Sequence, residues 1–179
     1  MIAVSESYTT PPTFFHSALH ERVYATLAEL AIPFERVDCE EAITMEDYIA
    51  IDHALHVETV KTLFLANRQE TQFYLLVTPG NKPFRTKDFS HTLGVSRVSF
   101  ATSEKLLELL GCKVGAATIF GLLLDPDCRI RTVIDRDVLS LENYACTDST
   151  TTGYMKVKTS DILEKFLPHV GHTPDIITL

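Results

Sequence analysis

Two short apolar runs near the middle of the chain predict a β-hairpin. Residues 60–66 and 72–78 are rich in aromatic and branched side chains, and a polar stretch separates them. Pro79 and Gly80 close the second run with residues typical of turns. Lys61 is the one charged residue in these apolar runs. An unpaired buried charge costs several kcal/mol. Its ammonium must reach solvent, a carboxylate or an anionic ligand, and a lysine that simply reaches water is the commoner case.

The remaining pattern predicts helices and strands around this hairpin. Apolar residues three or four positions apart indicate helices, and Thr44 with Asp47 has the spacing of a capping box. The predicted helices span residues 14–30, 44–55, 86–94, 102–111 and 159–166. The further predicted strands span residues 32–37, 97–100, 118–124, 129–134, 154–157 and 174–179. Residues 143–153 are polar and are predicted as a loop.

This order of elements predicts an α+β fold. No repeat or low-complexity linker divides the chain, so we expect one domain, with a mixed sheet and helices packed outside it. Residues 1–13 are polar and end in Pro11, Pro12 and Thr13. They are predicted to form a flexible tail that precedes a domain over residues 14–179.

Composition narrows the classes of function. With 45% hydrophobic and 22% charged residues, the chain is typical of globular proteins. No apolar run approaches the ~20 residues of a membrane span, and no basic and apolar leader is recognisable, which predicts a cytoplasmic location and no membrane partner. A net charge of −8 argues against sequence-blind affinity for nucleic acid. Lys82, Arg85 and Lys87 form a local basic stretch that could meet phosphates, although a solvated face is more common.

The familiar catalytic motifs are missing. The chain has no GxSxG, P-loop, GxGxxG or HExxH pattern, and its four cysteines lack metal-ligand spacing. His16 and His20, four positions apart, could hold a metal, but no third ligand accompanies them, and an exposed first turn of a helix is the better interpretation. Residues 111–117, rich in glycine and alanine, are the best candidate for a wall of bare backbone. Such residues let a ligand approach N–H groups, which can stabilise an oxyanion. The alternative is a helix C-cap followed by a tightly packed strand.

Six segments in one order resemble a known family. They are residues 60–65, 74–77, 93–101, 110–115, 120–122 and 171–174. Together they are similar to the YbaK/ProX-type aminoacyl-tRNA editing domains, especially the freestanding prolyl-tRNA editing proteins. The resemblance implies a mostly antiparallel, barrel-like sheet surrounded by helices. It also implies hydrolysis of the ester of a mischarged tRNA, typically alanine or cysteine on the proline tRNA, without metal or cofactor. The implied partners are that tRNA and prolyl-tRNA synthetase.

The resemblance also implies roles for individual residues. Lys61 matches the strand lysine that holds the substrate, and is therefore the expected catalytic residue. The expected substrate-binding residues are Thr62, Gly115, Ala116, Ala117, Thr118, Thr147 and Thr151. The expected contacts to the tRNA backbone are Lys82, Arg85 and Lys87. No metal site is expected.

Three departures from the family pattern keep a second function open. Thr62 replaces an asparagine, and residues 115–119 lack the serine and proline of the family's glycine-rich wall. The family's late His-Pro-x-x-Asn-Thr loop falls on residues 147–152, where no histidine remains. The alternative is therefore a family member without hydrolytic activity that binds tRNA, an amino acid or a synthetase.

Overall fold

The structure, a computed structural model, describes residues 2–179. These residues form two sheets. The strands are β1 Glu35–Asp38, β2 Lys61–Asn67, β3 Phe73–Thr78, β4 Val98–Phe100, β5 Ile130–Asp135, β6 Asn143–Thr147, β7 Gly153–Lys158 and β8 Asp175–Ile177. The helices are α1 Ala18–Glu29, α2 Met45–Leu55, α3 Thr86–Leu93, α4 Ser103–Leu110, α5 Thr159–Asp161 and α6 Leu167–His169. Ile119–Leu124 and Arg136–Ser140 are 3₁₀ helices, and a π-helical turn, Ile162–Phe166, joins α5 to α6.

The predicted hairpin lies in the middle of the larger sheet. This sheet has the order β4-β2-β3-β5-β8, with the β3–β5 and β5–β8 pairs parallel and the others antiparallel. The smaller, antiparallel sheet has the order β1-β7-β6. The sheets meet where the N–H of Val60 donates to the carbonyl of Ala145 at 2.9 Å. The predicted α+β domain with a mixed, mostly antiparallel sheet is confirmed, although the sheets do not close into a barrel.

Both faces of the larger sheet are covered, because its side chains alternate between two apolar clusters. Phe64, Leu75 and Ile134 belong to the main core, which also contains apolar residues of α1 and α4. Leu65 and Leu76 point to a second cluster, around Phe89 of α3. Helix α2 contributes to a third cluster, with residues of β1, β6 and β7. None of the helices formed by residues 2–179 has the length and apolar character needed to cross a bilayer.

The helix ends follow the local sequence signals. Thr44 and Asp47 form the predicted capping box at the start of α2. Thr102 accepts a hydrogen bond from the N–H of Lys105 and so caps α4. Gly94 and Gly111 end α3 and α4 with φ angles of +71° and +65°, a conformation that glycine adopts without steric cost.

Two predicted elements were wrong. The run predicted as a strand over 118–124 forms the 3₁₀ helix Ile119–Leu124, which Thr118 caps by accepting from the N–H of Phe120. An apolar run of this length does not distinguish the two structures by itself. The predicted loop at 143–153 begins with strand β6, which pairs with β7 despite its polar residues. Only residues 148–152 connect the two strands.

The stretch predicted as a flexible tail runs along strand β1. The N–H of Ser5 donates to the carbonyl of Asp38, and the N–H of Tyr8 to the carbonyl of Arg36, both at 2.8 Å. The guanidinium of Arg36 lies 4.8 Å from the centre of the Tyr8 ring. The flexibility of this stretch and the boundary at residue 14 stay predictions.

Candidate functional site

A cavity of about 670 Å³ opens beside the first residues of β2. It is lined by residues from β2, α2, the turn after α4, and β6. Its wall is mostly apolar and includes Val60, Phe64, Leu106 and Cys146. Large side chains remain exposed to solvent at its rim: Met45, Ile49, Phe100 and Val114. The cavity therefore combines an apolar interior with an unusually exposed apolar margin.

Lys61 lies at the edge of this cavity, as the first residue of β2. Its Nζ atom donates to the backbone carbonyl of Lys82 at 2.6 Å. No carboxylate among residues 2–179 lies within 4.0 Å of this ammonium. The carbonyl orients the charge without neutralising it, so the ammonium remains available to an anionic or partly negative ligand group.

The glycine-rich turn supplies a second polar wall. Gly115 and Ala117 line the cavity, and Gly115 has a φ of +88°. No acceptor among residues 2–179 takes the backbone N–H of either residue, whereas the N–H of Ala116 donates to Lys113. Two residues whose backbone N–H groups have no acceptor therefore line the same cavity as Lys61. Donors held in this way can stabilise negative charge that develops on a carbonyl oxygen.

The predicted substrate-binding residues divide into two groups. Thr62, Gly115, Ala117 and Thr147 line the cavity. Ala116 and Thr118 are buried behind it, and Thr151 lies outside its lining, beside Gly115. The hydroxyl of Thr118 accepts from the N–H of Phe120 and donates to the sulfur of Cys146. Thr118 thus supports the wall from behind.

The loop between β6 and β7 is anchored by a residue that the sequence analysis did not single out. Asp148 is buried and accepts hydrogen bonds from His20, Tyr24 and Thr150, at 2.9, 2.7 and 2.7 Å. Burial alone would raise the pKa of this carboxyl group, but the hydrogen bonds, led by that from His20, lower it. The carboxylate stays ionised and ties the loop to α1. The spacing of His20 and Tyr24, four residues apart on one helix face, was the available signal.

The His16 and His20 pair, considered as metal ligands and set aside, has another role. The backbone N–H of His16 donates to Nδ1 of His20 at 3.1 Å, so Nε2 of His20 is the atom that donates to Asp148. Within residues 2–179, no cluster of three or more histidine, cysteine or carboxylate side chains is arranged to hold a metal ion.

The predicted tRNA contacts differ in their surroundings. The Lys82 ammonium lies 2.8 Å from carboxylate oxygens of both Asp135 and Asp137. Desolvation lowers its pKa, but the hydrogen bonds to these carboxylates outweigh that effect and raise it. Its positive charge is already neutralised by these carboxylates, so Lys82 can attract a phosphate only weakly. Arg85 and Lys87 are exposed and line a neighbouring groove.

The only thiol in the cavity wall formed by residues 2–179 is a poor nucleophile. Burial raises the pKa of the Cys146 thiol to about 12. Because the thiolate is the reactive form, this thiol is inert near neutral pH. The site therefore offers an ammonium and backbone donors, an arrangement that can bind and polarise an ester while water attacks it.

The chain is similar in sequence to three known proteins. The chain is 27% identical over 159 residues to the prolyl-tRNA editing protein ProX of Acetoanaerobium sticklandii, covering 89% of this chain and 96% of the relative. It is 28% identical over 167 residues to mouse prolyl-tRNA synthetase associated domain-containing protein 1, covering 90% and 96%. A match to the proline–tRNA ligase of Methylobacillus flagellatus has 27% identity over 117 residues, which are 64% of this chain and 20% of the ligase.

The fold has solved counterparts as well. A protein proposed as a trans-editing enzyme for prolyl-tRNA synthetase superposes with a TM-score of 0.63 at 16% identity, covering 92% of this chain and 99% of that one. At this identity the likeness concerns the fold alone.

The family model of the aminoacyl-tRNA editing domain matches residues 39–165, a range that contains Lys61, the 111–117 turn and the loop after β6. The chain therefore belongs to the aminoacyl-tRNA editing domain family.

Proposed function

We propose that this protein is a trans-editing deacylase that hydrolyses the ester of a mischarged proline tRNA in the cytoplasm, with alanine or cysteine as the amino acid removed. The observation that supports the proposal is that Lys61, Gly115 and Ala117 line one cavity. The Lys61 ammonium has no carboxylate partner, and the N–H groups of Gly115 and Ala117 have no acceptor among residues 2–179. In this proposal the aminoacyl ester binds between them.

Each wall has a part in the proposed reaction. The ammonium of Lys61 holds a phosphate or the aminoacyl group of the terminal nucleotide, and the N–H groups of Gly115 and Ala117 receive the carbonyl oxygen. As water attacks, this oxygen gains negative charge, which backbone donors stabilise more strongly than the neutral ground state. The bond between the carbonyl carbon and the ribose oxygen then breaks. The ribose oxygen takes up a proton given up by the attacking water and becomes a hydroxyl group, and the amino acid leaves with a free carboxylate. No covalent enzyme intermediate is required, in keeping with the raised pKa of the Cys146 thiol.

The choice of amino acid follows from the cavity wall. Val60, Phe64, Leu106 and Cys146 form an apolar lining that suits a small apolar side chain. A synthetase pocket for proline rejects a smaller amino acid poorly by binding alone, so a separate hydrolytic site is the chemical remedy. Prolyl-tRNA synthetase, which releases the mischarged tRNA, is the proposed partner.

One observation favours a second candidate function. The loop at residues 147–152 brings no imidazole or amide to the cavity, and its single acid, Asp148, bonds to α1 instead. Thr147 lines the cavity, but its hydroxyl already donates to the carbonyl of Thr150. If the missing groups are essential for hydrolysis, the protein is a binding module for tRNA, an amino acid or a synthetase.

The test is deacylation of proline tRNA charged with alanine, cysteine, serine or proline, in the presence of a chelator. We expect alanine or cysteine to be released, and Lys61→Ala to lower kcat/KM roughly 10- to 100-fold, the scale of one lost hydrogen bond from a charged group that holds the substrate. Lys158→Ala, which removes an exposed positive charge outside the cavity, is the control. Absence of release at high enzyme concentration, with tRNA binding intact, would establish the binding module instead.

A further inference from the structure

A second groove lies on the other side of Lys61 and carries chemistry that the editing reaction itself does not use. It has a volume of about 510 Å³ and shares Lys61, Leu63 and Phe100 with the main cavity. Its remaining wall comes from the start of α3 and the residues before it, including Phe84, Arg85 and Lys87. The two spaces are therefore adjacent, with the Lys61 and Phe100 side chains between them.

The aromatic side chains of this groove are presented to solvent. Phe100, at the end of the edge strand β4, is 59% exposed. Its ring meets that of Phe84 edge to face, with the centroids 6.0 Å apart. Phe84 in turn contacts the fully buried Phe89 of α3, with the centroids 6.3 Å apart. A fixed inner ring thus supports an exposed outer one, which leaves an aromatic face open to a planar ligand.

The charge beside these rings is positive although the whole chain carries −8. Lys61 reaches the groove, and no ion pair formed by residues 2–179 includes Lys87. Arg85 contacts Asp88 at 2.8 Å, yet its side chain is 78% exposed and this surface pair contributes little. Exposed aromatic faces next to basic side chains are the combination that binds single-stranded nucleic acid, through base stacking and phosphate contacts.

We propose that this groove binds the unpaired 3′ end of the tRNA. The terminal nucleotide carries its aminoacyl group into the main cavity, and the preceding bases stack on Phe100 and Phe84. Arg85 and Lys87 contact the phosphates between them. The choice of RNA as the ligand rests on the proposed function, whereas the stacking and phosphate contacts rest on the groove. Lys82, whose charge is neutralised by Asp135 and Asp137, takes no part.

The test uses an uncharged single-stranded RNA of the tRNA 3′ sequence, with 2-aminopurine in place of one base, so that binding is measured without hydrolysis. We expect the full-length protein to quench the fluorescence by stacking. Phe100→Ala should lower affinity roughly tenfold, the scale of one lost stacking contact. Leu107→Ala is the matched control, because Leu107 is 57% exposed and lines neither cavity. Arg85→Ala and Lys87→Ala should each reduce the slope of log affinity against log salt by about 0.7.

Three outcomes separate this proposal from the proposed function. Binding of the RNA without deacylation of any charged tRNA supports the groove and overturns the editing reaction. Deacylation with unchanged rate and tRNA affinity in Phe100→Ala overturns the groove and leaves the reaction standing. A concentration-dependent dimer of the wild type that Phe100→Ala abolishes would show that a second copy covers the aromatic face, which also overturns the groove. Because Phe100 is exposed, its substitution should leave the melting temperature unchanged.

Discussion

The Nε2 atom of His20 donates a hydrogen bond to Oδ2 of Asp148 at 2.9 Å, across 128 positions of sequence. The same oxygen accepts from the Tyr24 hydroxyl at 2.7 Å. Helix α1 thereby anchors the loop between β6 and β7. A glycine at position 153 makes room for this contact, since a Cβ there would lie 2.3 Å from the Asp148 carboxylate. The position of Thr147 in the cavity wall depends on this contact.

Replacing the carboxylate at this contact should destabilise the protein. We expect Asp148→Asn to lower the free energy of unfolding by about 3 kcal/mol, because it breaks a buried charged network whose donors lose part of their pairing. Urea denaturation measures this change. Asp127→Asn, at an exposed position, is the control and should change stability by less than ~0.5 kcal/mol. An equally small effect at residue 148 would show that the network does not anchor the loop.

The same carboxylate should give stability a dependence on acid pH. The pKa of Asp148 is lower in the folded protein than its ordinary value, so the folded state favours the ionised form. Its contribution is complete above about pH 5 and is lost as the pH falls through and below about 3.9, the ordinary pKa of aspartate. We expect the melting temperature to fall more steeply between pH 5 and pH 3 in the wild type than in Asp148→Asn. Parallel curves would contradict this.

Two glycines with similar backbone conformations allow strain to be separated from function. Gly115 has a φ of +88° and Gly94 a φ of +71°, so alanine at either position should cost about 1 kcal/mol of stability. Gly94→Ala should leave deacylation unchanged, because nothing lies within 4 Å of its added carbon and it lines no part of the cavity. Gly115→Ala should also slow deacylation, by displacing the free N–H groups. Equal rates in the two variants would argue against a wall of backbone donors.

The two lysines of the basic stretch should behave in opposite ways. Lys82→Ala leaves the fully buried Asp135 without its cation and should lower stability by about 3 kcal/mol. Lys87→Ala should leave stability unchanged and weaken tRNA binding in a salt-dependent manner. Chemical denaturation and a salt titration of tRNA affinity measure the two effects. A stable Lys82→Ala variant with strongly reduced tRNA affinity would restore the sequence-based assignment of Lys82 to the tRNA backbone.

Deacylation should not depend on a thiol. Since burial raises the pKa of Cys146 to about 12, almost no thiolate exists at neutral pH, and Cys146→Ala should keep its rate within about threefold of the wild type. Alkylation of the exposed Cys128 serves as a positive control for the reagent. Loss of deacylation in a folded Cys146→Ala variant, or alkylation of Cys146 as fast as that of Cys128, would contradict this expectation.

The sequence predicted the parts of the fold that local rules govern. The hairpin, the capping box at Thr44 and the helix ends at Gly94 and Gly111 follow from turn and cap chemistry within a few residues, and all are confirmed. Residues 118–124 were assigned wrongly because an apolar run fits a strand or a buried helical turn equally well, and the choice lay in its packing against Leu110.

For the candidate site too, the sequence predicted some features and only the tertiary structure decided others. Sequence alone singled out Lys61 as a charge on an apolar strand, and Gly115 and Ala117 as bare backbone, and these residues do line one cavity. Only the tertiary structure decided that Lys82 is neutralised by Asp135 and that Asp148 bonds to His20. Both contacts join distant segments, and the energy of a buried charge depends on neighbours that folding brings within about 3 Å, which no local pattern of residues encodes.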